Sequence, residues 1–351
     1  MRSSFCRKRH CLLPAGREPF EYRRILACSD IPEAADLLES GDPRRVFNHV
    51  MEVDDPSIVF LLPGGGAQYF QMAQGLYQTQ AIFRQEVDRG LGLLSDRYGV
   101  DLGPVFHAEE VERDRVIEDL DRPSIQLPLT FIVEYALAKL WEFYGVKPAA
   151  LLGHSLGENT AACLSGVLSF EDTLSLVLKR GQLFETAPAG GVLSVPMPVD
   201  ELKPQVGDLL DIAAANGPSL SVVSGPEDLL DALAARLLEH GVQSQRVRVN
   251  VAAHSRLLDS ILDEFRAHLE TLKFSKPGIP IVSNRTGTWL TDEQACDPGY
   301  WVGHLRNTVR FAECVDTLLE EENQVFLEVG PGNMLGSFVR QNPGAPAQRV
   351  I

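Results

Sequence analysis

The unbroken apolar run "IVFLL" (58–62) stops at "PGGG", and "ALL" (150–152) stops at "GHSLG", so two short hydrophobic stretches each end in a glycine-containing turn. Runs of this length between turn residues predict strands buried on both faces, the kind found in parallel sheets. Ahead of the second run, "PSIQLPLTFIVEYALAKLWEFY" (123–144) carries apolar residues at helical spacing. Helix, strand, sharp turn and helix in succession is the grammar of a parallel α/β domain. Upstream, "YRRILACSDIPEAADLLESGD" (22–42) reads as a short strand and a helix. The polar, proline-containing "DPRRVFNHVMEVDDPS" after it reads as irregular, and residues 1–57 are assigned to a linker. Beyond residue 190 the elements shorten: strand 191–197, helix 199–207, strands 210–217 and 219–225, helix 226–241, strand 243–251. That β-α-β-β-α-β order predicts a ferredoxin-like small domain inserted at 191–251 into a large domain formed by 58–190 and 252–342. The competing reading makes these strands part of one sheet. Residues 343–351 form a short tail, expected to be truncated.

A chain of 351 residues with 44% hydrophobic content can bury a large core. Its net charge of -16 opposes a phosphate backbone, and its arginines are not interleaved with aromatics, so nucleic acid is excluded as a partner. Six cysteines (6, 11, 28, 163, 296 and 314) lack CxxC spacing and no histidine pair has ligand spacing, so neither a metal site nor a disulfide framework is expected. A reducing cytoplasm fits that usage. The basic N-terminus lacks the apolar core of about 7–15 residues that a signal peptide needs, and no run reaches the ~18 apolar residues of a membrane span.

Gly153-His154-Ser155-Leu156-Gly157 is a G-x-S-x-G elbow. Its glycines permit a tight strand-to-helix turn that lifts the hydroxyl clear of the backbone, and the Leu156 N–H at the helix start faces any developing oxyanion. His154, beside the nucleophile, is expected to point away and serve structure. A serine hydroxyl needs a base, and eight histidines are available. His10 and His49 fall in the linker, His107 in a loop, and His240 and His268 at polar helix positions. His254 follows the last small-domain strand, where the chain re-enters the large domain and can face a cleft. Sequence position alone leaves that choice close to even.

"FLLPGGGAQYFQMAQGLY", "GHSLGENTAACLSGVLS", "LVLKRGQLFE", "VAAHS", "YWVGHLRNTVRF" and "FLEVGPGNML" occur in an order and spacing that resemble the malonyl-CoA:acyl carrier protein transacylase family, above all acyltransferase domains of modular polyketide synthases. The likeness covers 58 to about 342, and 22–57 is similar to the linker joining ketosynthase to acyltransferase in those synthases. The resemblance implies an α/β-hydrolase-like large domain with a ferredoxin-like small domain. It implies that Ser155 accepts the acyl group, that His254 is the general base, and that Arg180, 25 residues after the serine, grips the free carboxylate of a malonyl-type group. A planar guanidinium suits that task because it offers a fork of donors and stays charged when buried.

The same resemblance places the oxyanion donors on the backbone of Gly65 and Leu156, and the carbonyl that orients His254 on His304. Glycine at 65 departs from the family's usual glutamine, and Gln68 remains as a further substrate-side residue. Ala253 leaves room for an α-methyl on the extender unit, whereas Leu156 is the type seen with malonyl. The two markers disagree, and the reading leans to methylmalonyl. The implied substrate is a coenzyme A thioester, with no permanently bound cofactor. The implied partners are an acyl carrier protein with its phosphopantetheine arm and neighbouring synthase domains. Two other readings stay open: a serine esterase using Asp200, Asp208 or Asp211, and a non-catalytic synthase fragment. Arg246, Arg248, Arg256, Arg306 and Arg310 are candidates for a basic rim toward CoA phosphates or an acidic carrier, or else are scattered solvated arginines.

Overall fold

The computed structural model describes residues 20–26, 28–50, 56–247, 249, 251–346 and 349–351. They fall into two units that divide between Pro56 and Ser57. In the first, β1 (Tyr22–Leu26) and α1 (Ile31–Ser40) follow the sequence expectation. Asp30 caps the helix by accepting from the Glu33 N–H, and Gly41 ends it in the left-handed conformation. The segment read as irregular instead contains β2 (Val46–Val50), which pairs antiparallel with β1 from Tyr22↔Val50 to Leu26↔Val46. "VFNHV" carries β-branched and aromatic residues whose strand signal its charged flanks obscure. Residues 1–19 and 51–55 of the expected linker lie outside the described residues.

The second unit opens with β3 (Ser57–Leu62), passes through α2 (Ala81–Tyr98) and α3 (Pro123–Phe143), and reaches β4 (Ala150–Gly153), α4 (Leu156–Leu164) and α5 (Phe170–Phe184). Next come β5 (Gly191–Val195), α6 (Val199–Val206), β6 (Asp211–Gly217), β7 (Leu220–Gly225), α7 (Glu227–Glu239) and β8 (Gln245–Arg246). The chain returns with β9 (Ile281–Val282), α8 (Pro298–Arg306) and β10 (Gln324–Glu328). Helix α3 is apolar nearly all round, so it packs on both α2 and α5 and is largely buried.

The large sheet has the order β10-β3-β4-β9 and is parallel throughout. Leu62 lies opposite Gly153, so the turns that leave β3 and β4 emerge side by side at the carboxyl edge, where ligands bind in open α/β sheets. The second sheet, β6-β7-β5-β8, is wholly antiparallel, and with its two helices it is the ferredoxin-like arrangement. It has its own core of Leu193, Val195, Leu202, Val223, Leu230 and Leu233. A single continuous sheet is thereby ruled out. The last expected strand, 243–251, shrinks to Gln245–Arg246 plus one further bond from the Val247 N–H to the Val192 carbonyl; Arg248 and Asn250 lie outside the described residues. Among the described residues no helix is long and apolar enough to cross a membrane, and no His, Cys, Asp and Glu cluster could hold a metal. Cys28, Cys163, Cys296 and Cys314 are free thiols.

Candidate active site

The sharp turn after β4 is built by what the glycines lack. A Cβ at Gly153 would lie 2.0 Å from the Glu158 nitrogen, and one at Gly157 would lie 1.9 Å from the Leu62 carbonyl oxygen. Both contacts are with backbone that cannot yield, so α4 can start directly above the sheet only with glycine at both positions. Ser155 at the apex has φ 53° and ψ -111°, an unfavourable conformation for a side-chain-bearing residue. His154 turns away, as expected: its Nε2 is 2.7 Å from Asn216 Oδ1 on β6, and its ring packs near Phe311 and Phe338.

Two side chains converge on the Ser155 hydroxyl. His254 Nε2 lies 2.7 Å from Oγ, and an Arg180 Nη2 N–H donates to Oγ at 2.9 Å. His254 has φ 57°, so the loop returning from the small domain is itself bent to aim the ring. Its Nδ1 lies 2.9 Å from the Asn307 carbonyl. A carbonyl only accepts, so the proton sits on Nδ1 and the Nε2 lone pair faces the serine O–H. The resemblance put that carbonyl on His304; the carbonyl 2.9 Å from Nδ1 is that of Asn307. His304 lies in the last turn of α8, whereas Asn307, just past its end, is extended and turns its carbonyl to the ring. The His304 ring is buried and meets His254 edge-on.

Arg180 is 2% exposed. Its Nη1 donates to Asn159 Oδ1 at 2.9 Å, its Nε has no partner, and no carboxylate pairs with it among the described residues. Burial lowers its pKa to about 10, which leaves it charged at neutral pH. Burial first, and the Arg180 charge second, push His254 down to about 3, so the imidazole is neutral at neutral pH.

Gly65, Leu156, Arg180 and Ala253 line one cavity with Ser155. The Leu156 N–H, at the first helical position, has no intrahelical acceptor. Gln68 does not share that cavity. Its Oε1 accepts from the Gly66 N–H at 2.9 Å and from Gln126 Nε2 at 2.5 Å, so it braces the glycine loop. A Cβ at Gly65 would make ordinary contacts of 3.4 Å with Leu127 and 3.5 Å with Gln126, so the backbone does not demand glycine there.

The rim arginines are otherwise engaged. Arg246 pairs with Glu227 and Asp231, Arg256 with Asp211, Arg306 with Asp259 and Arg310 with Glu313, while Arg248 lies outside the described residues. Sequence reasoning missed Asn159, Asn284 and Glu158. The first holds Arg180, and Asn284 Oδ1 accepts from the Ser155 N–H at 2.8 Å. Glu158 accepts from the Asn284 N–H and the Tyr300 hydroxyl, and burial raises it to about 7. Asn159 and Glu158 sit one turn into the helix after the nucleophile, a signal that was available; Asn284, 129 residues away, gave none.

A parallel α/β sheet bearing a serine elbow, with a ferredoxin-like insertion before the histidine, defines a class of acyl-transfer folds. Residues 59–344 match the acyl transferase domain family, and the chain belongs to it. It is 36% identical over 295 residues to a phenolphthiocerol/phthiocerol polyketide synthase protein of Mycobacterium tuberculosis, a match that takes in 84% of this chain but only 19% of that protein. The acyl transferase domain of ZmaA superposes with a TM-score of 0.85 at 39% identity, covering 93% of this chain and 75% of that one. That of SpnD, in complex with 2-(pent-4-yn-1-yl)malonyl, gives 0.84 at 39% identity, covering 94% and 78%.

Two outcomes are expected. Gly157→Ala and Gly153→Ala should yield insoluble or unfolded chain by circular dichroism, while Gly65→Ala stays folded; a soluble, native-like Gly157→Ala would contradict the close approach. The reactivity of Ser155 toward a fluorophosphonate should show no acid limb between about pH 5 and pH 8, because burial and the Arg180 charge keep the neighbouring imidazole of His254 neutral across that range. A half-loss near the ordinary histidine value of about 6.5 in a stopped-flow profile would place the base in an unperturbed environment.

Proposed function

We propose that this chain loads a malonyl-type extender unit, methylmalonyl or malonyl, from coenzyme A onto the phosphopantetheine thiol of an acyl carrier protein in polyketide biosynthesis. The observation that carries the reading is the buried guanidinium of Arg180, without a carboxylate partner among the described residues and 2.9 Å from the Ser155 hydroxyl. A cation desolvated at this depth is costly unless an anion joins it. A free carboxylate on the acyl group supplies that anion, and the Nε–H is still open to it. Acetyl and fatty acyl groups bring none.

In the first half-reaction Ser155 Oγ attacks the thioester carbonyl as its proton passes to His254 Nε2, with the Asn307 carbonyl fixing the ring. The tetrahedral oxyanion is held by the N–H groups of Leu156 and Gly65. The C–S bond breaks, His254 returns the proton to sulfur, and coenzyme A leaves as the thiol. In the second half-reaction the carrier's thiol gives its proton to His254 and attacks the acyl-serine, and the proton returns to Ser155 as the C–O bond breaks. The esterase reading wants a carboxylate on Nδ1, but a neutral carbonyl occupies that position, and Asp211 is committed to Arg256. Ala253 on the cavity wall supports a substituted extender, in line with the substituted malonyl in the SpnD complex.

Incubation with malonyl-CoA or methylmalonyl-CoA should give a covalent mass shift on Ser155 that is absent in Ser155→Ala. No adduct on the wild type, or an unchanged one on the variant, defeats the assignment. Arg180→Ala should lower kcat/KM for the carboxylated thioesters by about 100-fold or more, the scale of a lost charged hydrogen-bond pair, while acetyl-CoA changes little. Retained selectivity in a two-substrate competition would mean that another cation holds the carboxylate.

A further inference from the structure

We propose that Asn284 is a positioning residue that holds the nucleophile turn in its reactive shape. Its side chain bridges two peptide groups of the elbow: Oδ1 accepts from the Ser155 N–H at 2.8 Å, and Nδ2 donates to the Gly153 carbonyl at 2.7 Å. The sheet explains why a side chain is needed there. β4 pairs with β9 at Leu151↔Ile281 and Leu152↔Val282, and the ladder then ends because the chain must turn out of the sheet. The Asn284 carboxamide takes over as the neighbouring strand for the next two peptides. A flat carboxamide presents an N–H donor and a carbonyl acceptor side by side, which matches a peptide edge.

The brace is itself clamped. Asn284 is 1% exposed. Its N–H donates to Glu158 Oε2 at 2.6 Å, and its carbonyl accepts from the Arg310 N–H at 2.8 Å. Glu158 is fixed in turn by the Tyr300 hydroxyl, which sits 2.5 Å from Ser283 Oγ. A strained φ at Ser155 persists only when its surroundings over-determine it, and this network supplies that constraint. It also consumes the Ser155 N–H, so donation from this turn to a ligand falls to the next N–H, on the cavity-lining Leu156. The proposal rests on Ser155 being the acyl acceptor, but not on which acyl group it accepts.

The test compares wild type, Asn284→Ala and Asn284→Asp in three measurements: labelling of Ser155 by a fluorophosphonate, kcat and KM with malonyl-CoA, and thermal melting. A nucleophile displaced by about 1 Å loses on the order of 100-fold in rate, so Asn284→Ala should lose that much in labelling and in kcat. KM should hold within about threefold, because Arg180 and Asn159 are untouched. Labelling at the wild-type rate, or a loss matched by the unfolded fraction, overturns the proposal. If the alanine variant does not fold, Asn284→Asp decides. A protonated Asp keeps one donor and one acceptor, whereas an ionised one repels the Gly153 carbonyl. Its rate relative to wild type should therefore fall as pH rises. The groups facing this position (Glu158, Cys314, and Tyr300 and His304 through Glu158) are common to both proteins, so the ratio reports the new carboxyl together with its coupling to them. A ratio independent of pH overturns the proposal. Should wild type label with the fluorophosphonate yet refuse malonyl-CoA, the substrate reading fails and the Asn284 comparison still stands.

Discussion

The reactive turn depends on a close approach of backbones: α4 starts so near β3 that a single added carbon on Gly157 would fall 1.9 Å from the Leu62 carbonyl oxygen. Everything chemical at this site is downstream of that approach. It sets the first N–H groups of α4 at the carboxyl edge of the sheet, beside the glycine loop that leaves β3. It also forces Ser155 into a conformation that a serine does not choose, so the surrounding bonds have to hold it. The parallel pairing of β3 with β4 matters to chemistry because it brings two turns from distant parts of the chain to one edge.

Around the hydroxyl, two opposed electrostatic demands are met by one arrangement. A buried cation beside an imidazole keeps that imidazole neutral, which a general base requires, and both leading causes of the lowered His254 pKa act in that direction. The same cation is only partly satisfied, by Ser155 and Asn159, and its Nε remains open. An anion arriving at Arg180 would relieve the guanidinium and also make the imidazole a stronger base. Coupling the seating of a carboxylate to the strength of the base favours the reaction when a carboxylated substrate is present. A chain with a carboxylate already paired to Arg180 would have neither property.

Much of this was legible because it is local. The runs "IVFLL" and "ALL", the helix from Pro123 and the glycine pair around Ser155 each declare themselves within a few residues, and the β-α-β-β-α-β order followed from counting elements. What escaped was non-local or masked by composition. β2 exists because β1 offers it an edge, and its polar flanks concealed it. The strand expected at 243–251 had the right alternation, but among its described residues Gln245, Arg246 and Val247 are the ones bonded to β5. The resemblance named the His304 carbonyl, whereas the one 2.9 Å from Nδ1 is that of Asn307, and that distinction lay beyond a sequence reading. It depended on where α8 stops, and helix ends are the least readable feature of a sequence. Gln68 sat at a motif position, yet its contact with Gln126, 58 residues away, could not be read from the motif.

The insertion of the small domain between Arg180 and His254 raises the question of how the base stays in register with the serine. Residues 307–310 answer it. The Asn307 carbonyl holds the His254 ring, and the Thr308 hydroxyl donates to the Ile212 carbonyl. Val309 exchanges bonds with Ala213 and Ala215 on β6, and the Arg310 N–H holds the Asn284 carbonyl. Four successive residues thus tie together the base, the first strand of the β6–β7 hairpin and the brace on the nucleophile turn. The His154–Asn216 bond makes a second link from the elbow itself to that same strand. A shift of the small domain against the large sheet would therefore pull on the carbonyl that sets the tautomer of His254 and on the amide that holds Ser155 at once. For that reason the imidazole of His254 and the hydroxyl of Ser155, 99 residues apart in the chain, are tied to the same strand and the same four-residue segment.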